Sequence, residues 1–143
     1  MRRLVLLASA TALVLTGCGG EPTARSPLPI PTPEVPPADG GKYGTPREIA
    51  TELEAVGVGC RDYVPIANPI SALERGSCEN GDLVISIYAN EGAVQAQVEF
   101  YQSLGKELDG GADTVAGLNW TVHTSDDADL DRTWKALGGR HIQ

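Results

Sequence analysis

Every aromatic side chain of this 143-residue chain lies beyond residue 42 (Tyr43, Tyr63, Tyr88, Phe100, Tyr101, Trp120, Trp134), and seven of its ten prolines lie before it. Aromatic residues carry much of the surface that a core buries, so the material for packing is confined to residues 43–143. Between Cys18 and Lys42, Pro22, Pro27, Pro29, Pro31, Pro33, Pro36 and Pro37 fix φ and remove backbone donors. That stretch favours polyproline II with little to bury. Residues 18–42 are therefore expected to be a disordered tether, reaching on the order of 60 Å at about 3.1 Å per residue. The alternating prolines also fit a docking motif for a polyproline-binding groove. Such grooves are chiefly intracellular, and the start of the chain argues for export.

That start is a positively charged Met1-Arg2-Arg3 and an apolar run from Leu4 to Leu15, broken only by Ser9 and Thr11. The pattern is that of an export signal, and the run is too short for a spanning helix, which needs about 18 or more apolar residues. Two arginines after the start methionine are ordinary in such a signal and carry little weight for twin-arginine export. The signal ends Leu15-Thr16-Gly17-Cys18, which closely resembles the lipobox of bacterial lipoproteins. The resemblance implies a thioether-linked diacylglyceryl group on Cys18, cleavage just before it, and a chain held on the extracytoplasmic face of the cell membrane. Small Thr16 and Gly17 suit access to the scissile bond, and two acyl chains hold a protein stably on a bilayer. The alternative is a secretory signal cleaved elsewhere, leaving a soluble protein. Residues 1–17 are thus expected to be a lipoprotein signal peptide.

The chain carries 11 basic and 19 acidic residues, a formal charge of −8. Sequence-independent binding to nucleic acid or to a bare anionic membrane needs basic patches, so no nucleic-acid partner is expected. Removal of the signal takes Arg2 and Arg3 and leaves nine basic residues against 19 acidic ones, a balance of −10. Repulsion from anionic headgroups would favour holding the domain off the surface.

Within 43–143, Thr45-Pro46-Arg47-Glu48 reads as an N-cap, a proline at the first helical position and the glutamate of a capping box. Ile49, Leu53 and Val56 follow at helical spacing and Gly57 supplies a stop, giving a helix over about 46–56. Val58 to Val64 is a short strand candidate. Asn80-Gly81 is a two-residue hairpin turn between 75–79 and 82–88, which places Cys78 on one face with Leu83, Ile85 and Ile87. Asn90 caps a second helix with an apolar side of Val94, Val98, Tyr101, Leu104 or Gly105, and Leu108, ended by Asp109-Gly110-Gly111. Leu118, Trp120 and Val122 alternate with polar residues as a strand with one buried face. Ser125 or Thr124 caps a third helix over about 127–137, which carries Leu130, Trp134 and Leu137 at a helical spacing and stops at Gly138-Gly139. The expected fold is α+β: a mixed or antiparallel sheet of three or four strands with helices on one face, the second helix serving as a crossover between parallel strands.

The capped helix, Gly59-Cys60, the proline loop, Gly76-Ser77-Cys78, Leu118-Asn119-Trp120-Thr121-Val122 and Leu137-Gly138-Gly139 together resemble the small uncharacterised lipoproteins of high-GC Gram-positive, actinobacterial bacteria. The likeness spans about residues 45–140 and implies fold and location, not an activity.

With Cys18 taken by lipid, Cys60 and Cys78 are an even pair in an oxidising compartment and are expected to form a disulfide. A reactive thiol pair or two metal ligands are the alternatives, but there is no Cys-x-x-Cys and no His beside either. Asp127, Asp129 and Asp131 match the opening of an EF-hand loop, yet Arg132 stands where glycine is needed and Gly138 where glutamate is needed. Acids in the first turn of a helix are expected in any case. The nucleophile-elbow, zincin, P-loop and dinucleotide motifs are missing from the sequence. No catalytic or metal residue and no cofactor is assigned. Asn119 and His123 are the candidates for a recognition surface. The expectation is a non-enzymatic, lipid-anchored envelope lipoprotein that binds another envelope protein or a ligand. An envelope hydrolase using Asp/Glu carboxylates, or a small-ligand or metal-binding lipoprotein, is the alternative.

Overall fold

The computed structural model describes residues 35–78, 81–108 and 113–142, with the backbone alone for 104–108. The signal peptide, Cys18 and the tether up to residue 34 lie outside the described residues, as do Glu79 and Asn80 of the hairpin turn and Asp109-Gly110-Gly111. The element order is α1 (Pro46–Ala55), β1 (Val64–Pro65), β2 (Glu74–Cys78), β3 (Leu83–Ile87), α2 (Glu91–Leu108), β4 (Thr114–Ala116), β5 (Trp120–Thr124), α3 (Asp127–Leu137) and β6 (Arg140–Ile142).

The fold is α+β. Its sheet has six strands, not three or four, in the order β1-β2-β3-β5-β4-β6, with every neighbouring pair antiparallel. The additional strands β4 and β6 have three residues each, too few to display a period of two. Because β3 and β4 both pair antiparallel with β5, they run parallel to one another with β5 between them, and α2 is the crossover that joins them.

Helices cover both faces rather than one. On one face, Ile49 and Leu53 of α1 and Leu130 and Leu137 of α3 pack with Leu83, Ile85, Ile87, Val115, Trp120 and Val122. On the other, Val94 and Val98 of α2 pack with Tyr88 and Ala116. Strand alternation explains the split: Ile85 pairs with Val122 in one row, and Ser86 pairs with Thr121 in the next row, pointing the opposite way. Hence β5 is buried on both faces at Trp120, Thr121 and Val122.

The caps are local and sequence-driven. Thr45 Oγ1 accepts the Glu48 N–H at 3.3 Å, and the Glu48 carboxylate reaches back to the Gly44 N–H at 2.9 Å, one residue earlier than a capping box requires. Asn90 Oδ1 accepts the Ala93 N–H. For α3 the cap is Asp126, whose carboxylate accepts the Asp129 N–H at 2.9 Å; Thr124 Oγ1 instead accepts the Asp126 N–H, and Ser125 is not the cap. The inward positions of α3 are Leu130, Thr133 and Leu137. Trp134, at the same helical spacing, is 45% exposed and donates its indole N–H to the Gly139 carbonyl, so it does not share the burial of Leu130 and Leu137. Val56, at the end of α1, is likewise exposed.

Cys60 and Cys78 form a disulfide, both buried, in the core beneath α1. This bond also explains why 58–64 is not a strand. Cys60 sits beside Cys78, with 4.8 Å between their Cα atoms, while Val64 pairs with Ser77, the neighbour of Cys78. The chain leaves and returns to nearly the same place within four residues, so it must turn, and only Val64–Pro65 is extended and paired.

Residues 35–42, placed in the tether on proline content, belong to the packed domain. The carbonyl of Gly40 accepts the Trp120 indole N–H at 2.9 Å and that of Gly41 accepts the Leu118 N–H at 3.2 Å. Gly117, in the β4–β5 turn, lies directly under the Trp120 indole, where a Cβ would collide with the ring. Trp120 thus becomes fully buried, with Tyr43 edge-on against it at a ring separation of 5.9 Å.

Candidate functional site

The two polar residues expected to form a recognition surface are not brought together as one. Asn119 is spent on structure: its Oδ1 accepts the Tyr43 N–H at 3.0 Å and its Nδ2 donates to the Tyr43 carbonyl at 2.8 Å. His123 stands four residues further along β5, about 13 Å away at the rise of an extended chain. It lies on the α2 face, where the Tyr101 ring stacks on it at 6.1 Å and 21°. Its Nδ1 meets the Asp113 carbonyl at 3.0 Å, so what Asp113 offers the imidazole is its backbone oxygen and not its carboxylate.

Two of the three acids of α3 are paired locally. Asp129 pairs with Arg132 at 2.7 Å and Asp131 with Lys135 at 2.6 Å. Among the described residues no group of three His, Cys, Asp or Glu is placed to hold a metal ion, and no helix is long and apolar enough to cross a membrane.

The most distinctive cavity lies on the α2 face, where the rows of side chains reveal what α2 leaves uncovered. One row runs Val64, Ser77, Val84, His123, Thr114, Ile142, and the next runs Arg75, Ser86, Thr121, Ala116, Arg140. The helix packs toward the Ala116 end of these rows, and Gln95 meets Arg140 at 3.1 Å there. At the β1–β2 end, Val64 stays exposed and Arg75 and Ser77 half-buried. The loop from Ile66 to Leu73 rises beside that end, leaving a groove of about 690 Å³ between loop and helix. Ile70, Ser71 and Arg75 line one side; Ala93, Ala96, Gln97, Phe100 and Tyr101 line the other. Ile70 is 82% exposed and Phe100 54% exposed, so apolar side chains flank the opening.

Arg75 is held in place by neutral partners. Its Nε donates to Ser86 Oγ at 2.9 Å and an Nη2 hydrogen points to the Ile70 carbonyl at 3.5 Å. It forms no ion pair with a described carboxylate, whereas Arg61, Arg132 and Lys135 each do. Across the groove, burial pushes the Tyr101 phenol above its ordinary range and nearby Tyr88 adds to this; the positive charge of Arg75 and a hydrogen bond with Gln97 pull the other way. Tyr101 therefore stays neutral and serves as a hydrogen-bonding group. The loop itself holds two non-glycine residues at positive φ, Asn68 at 52° and Ser71 at 65°. Such conformations cost about 1–2 kcal/mol each and recur at ligand clamps.

Strand alternation from Cys78 puts Arg75 on the opposite face of β2, but no local pattern places α2 on that face. A second depression of about 610 Å³ near the disulfide is lined by Glu54, Asp62 and Asp82 with Arg61. There Glu54 pairs with Arg61 at 3.5 Å. Compared with models of protein families, with curated proteins and with solved structures, the chain matches none.

Proposed function

We propose that this chain is a lipid-anchored lipoprotein of the cell envelope, held on the extracytoplasmic face through Cys18, whose domain is a non-enzymatic binding module. The anchor rests on Leu15-Thr16-Gly17-Cys18 at the end of an export signal. The binding role rests on one observation: a groove flanked by exposed Ile70 and Phe100, with Arg75 in its wall and no described carboxylate paired to it. Mostly apolar clefts with a few converging polar groups are the usual form of ligand sites. Residues up to 34 then serve as spacer, and the negative charge of the chain keeps the domain away from anionic headgroups.

Two measurements test this reading. Cys18→Ser should remove the lipid mass and move the chain from membrane to soluble fractions; a variant still membrane-bound at unchanged mass would refute the anchor. A photocrosslinking side chain at position 100 should trap a species of one reproducible mass in the envelope, and one at position 135 should not. Equal, unspecific labelling at both positions would refute the groove.

A further inference from the structure

We infer that the groove between α2 and the 66–73 loop takes a small amphiphilic anion, with Arg75 holding a carboxylate or phosphate head while Ile70 and Phe100 flank an aliphatic or aromatic body. The inference deepens the binding-module reading and rests on it.

Charge carries the argument. Among the cations whose side chains are described, Arg75 alone is not exposed. Partly withdrawing a charge from water with only neutral partners is costly, and a counter-charge offsets the cost. In a chain of net charge −8, acids are plentiful, yet none of the described ones pairs with this guanidinium. The Ser86 hydroxyl occupies Nε, and the Ile70 carbonyl is the one described acceptor on the terminal nitrogens, through Nη2. Among the described residues Nη1 and one Nη2 hydrogen have no acceptor, which leaves donors for two oxygens of one planar or tetrahedral anion. Fixing Nε beforehand means that little side-chain entropy is lost when that anion arrives.

The rest of the lining suits the remainder of such a ligand. Ala93 and Ala96 keep the α2 wall low, Phe100 offers a ring, and Gln97 and Tyr101 add neutral hydrogen-bonding groups. The volume of about 690 Å³ falls in the range of small-molecule sites, about 300–1,000 Å³. A β-strand is a poorer occupant for this end of the sheet. The ladder continues with the Ile66 N–H bonded to the Arg75 carbonyl, so alternation puts position 65 outward, where Pro65 has no donor to give an added strand.

The test uses the full-length chain in lipid nanodiscs, with empty discs subtracting membrane partition. Two fluorescent probes share one body: 1-anilinonaphthalene-8-sulfonate carries an anionic head, and N-phenyl-1-naphthylamine does not. The sulfonate should saturate a single site and bind at least about tenfold more tightly than its neutral twin, as expected for one charge-assisted hydrogen-bonded pair. Arg75→Met should erase that preference and leave the neutral probe unchanged. Decanoate should displace the sulfonate and decan-1-ol should not; decyl phosphate outcompeting decanoate would assign the head as phosphate. Should Arg75→Met fail to fold, Phe100→Glu at an exposed rim position must weaken the sulfonate more than the neutral probe. Equal binding of both probes, unaffected by Arg75→Met but weakened alike by Phe100→Glu, would overturn the anion and leave the groove as a binding site. Absence of saturable binding by either probe, with Phe100→Glu indistinguishable from the parent, would overturn both.

Discussion

The indole N–H of Trp120 donates to the carbonyl of Gly40 across 2.9 Å, joining residues 80 positions apart. With the Leu118–Gly41 bond beside it, this contact makes the end of the proline-rich segment a structural strap over the turn between β4 and β5. A chain beginning at Tyr43 keeps every helix and strand but leaves a buried indole N–H without its acceptor. Such an orphan costs about 1–3 kcal/mol. Urea unfolding should therefore place the midpoint of 43–143 clearly below that of 35–143; coincident curves would show that the strap contributes nothing.

The Cys60–Cys78 bond closes a loop with a sequence separation of 18. The chain-entropy argument gives about 3 kcal/mol for a loop of this size, a large share of the stability of a small domain. Replacing both cysteines with alanine should lower the unfolding free energy by that order, and reduction of the parent chain should approach the same value. A change below about 1 kcal/mol by chemical denaturation would show that the native packing around Val58 and Leu83 suffices without the bond.

Tyr43 gives an alkaline signature. Burial raises its phenol pKa above the ordinary value of 10.0, and the hydrogen bond to Glu52 Oε2 at 2.6 Å and the charges of Glu52 and Glu48 raise it further. Below pH 10 the phenol is protonated in both folded and unfolded chains, so its contribution is fully present. Above that, the unfolded chain loses the proton first, and stability falls as pH rises toward the folded value. Tyr43→Phe should flatten this alkaline decline in pH-dependent denaturation; an unchanged slope would place its origin elsewhere, for example in Tyr63 or Tyr101.

What could be read from the sequence was whatever short-range rules dictate. The cap at Thr45, the helix from Pro46, the pairing of Cys78 with Leu83 and the alternation that puts Trp120 and Val122 on one face of β5 all follow from neighbours within a few positions. Trp134 departs for a local reason, its indole N–H being held by the Gly139 carbonyl five residues on. The other departures come from long-range geometry: β4 and β6 acquire strand character only by pairing. The groove is the same kind of case: Arg75 is unremarkable in the sequence until α2 crosses the opposite end of its sheet face. His123 stands out in the sequence by its chemistry, but the ring of Tyr101, one position of the apolar side of α2, is what links it to the groove.

Thr133 isolates one more cost. Its hydroxyl is buried in the inner face of α3 and has no hydrogen-bond partner among the described residues. Valine has the same branched shape and similar helix propensity, so Thr133→Val removes the unpaired polar atom and keeps the packing. Desolvating an unsatisfied group costs about 1–3 kcal/mol, and the substitution should stabilise the domain by about 1 kcal/mol. Thr133→Ala separates the two effects, because it deletes a buried methyl as well as the hydroxyl and should lose all of that gain or more through the space left behind. Thermal unfolding of the three chains decides the matter: the order Val above Thr, with Ala at or below Thr, is expected. A valine variant less stable than the parent would show that the hydroxyl is bonded after all, through the helix backbone one turn earlier.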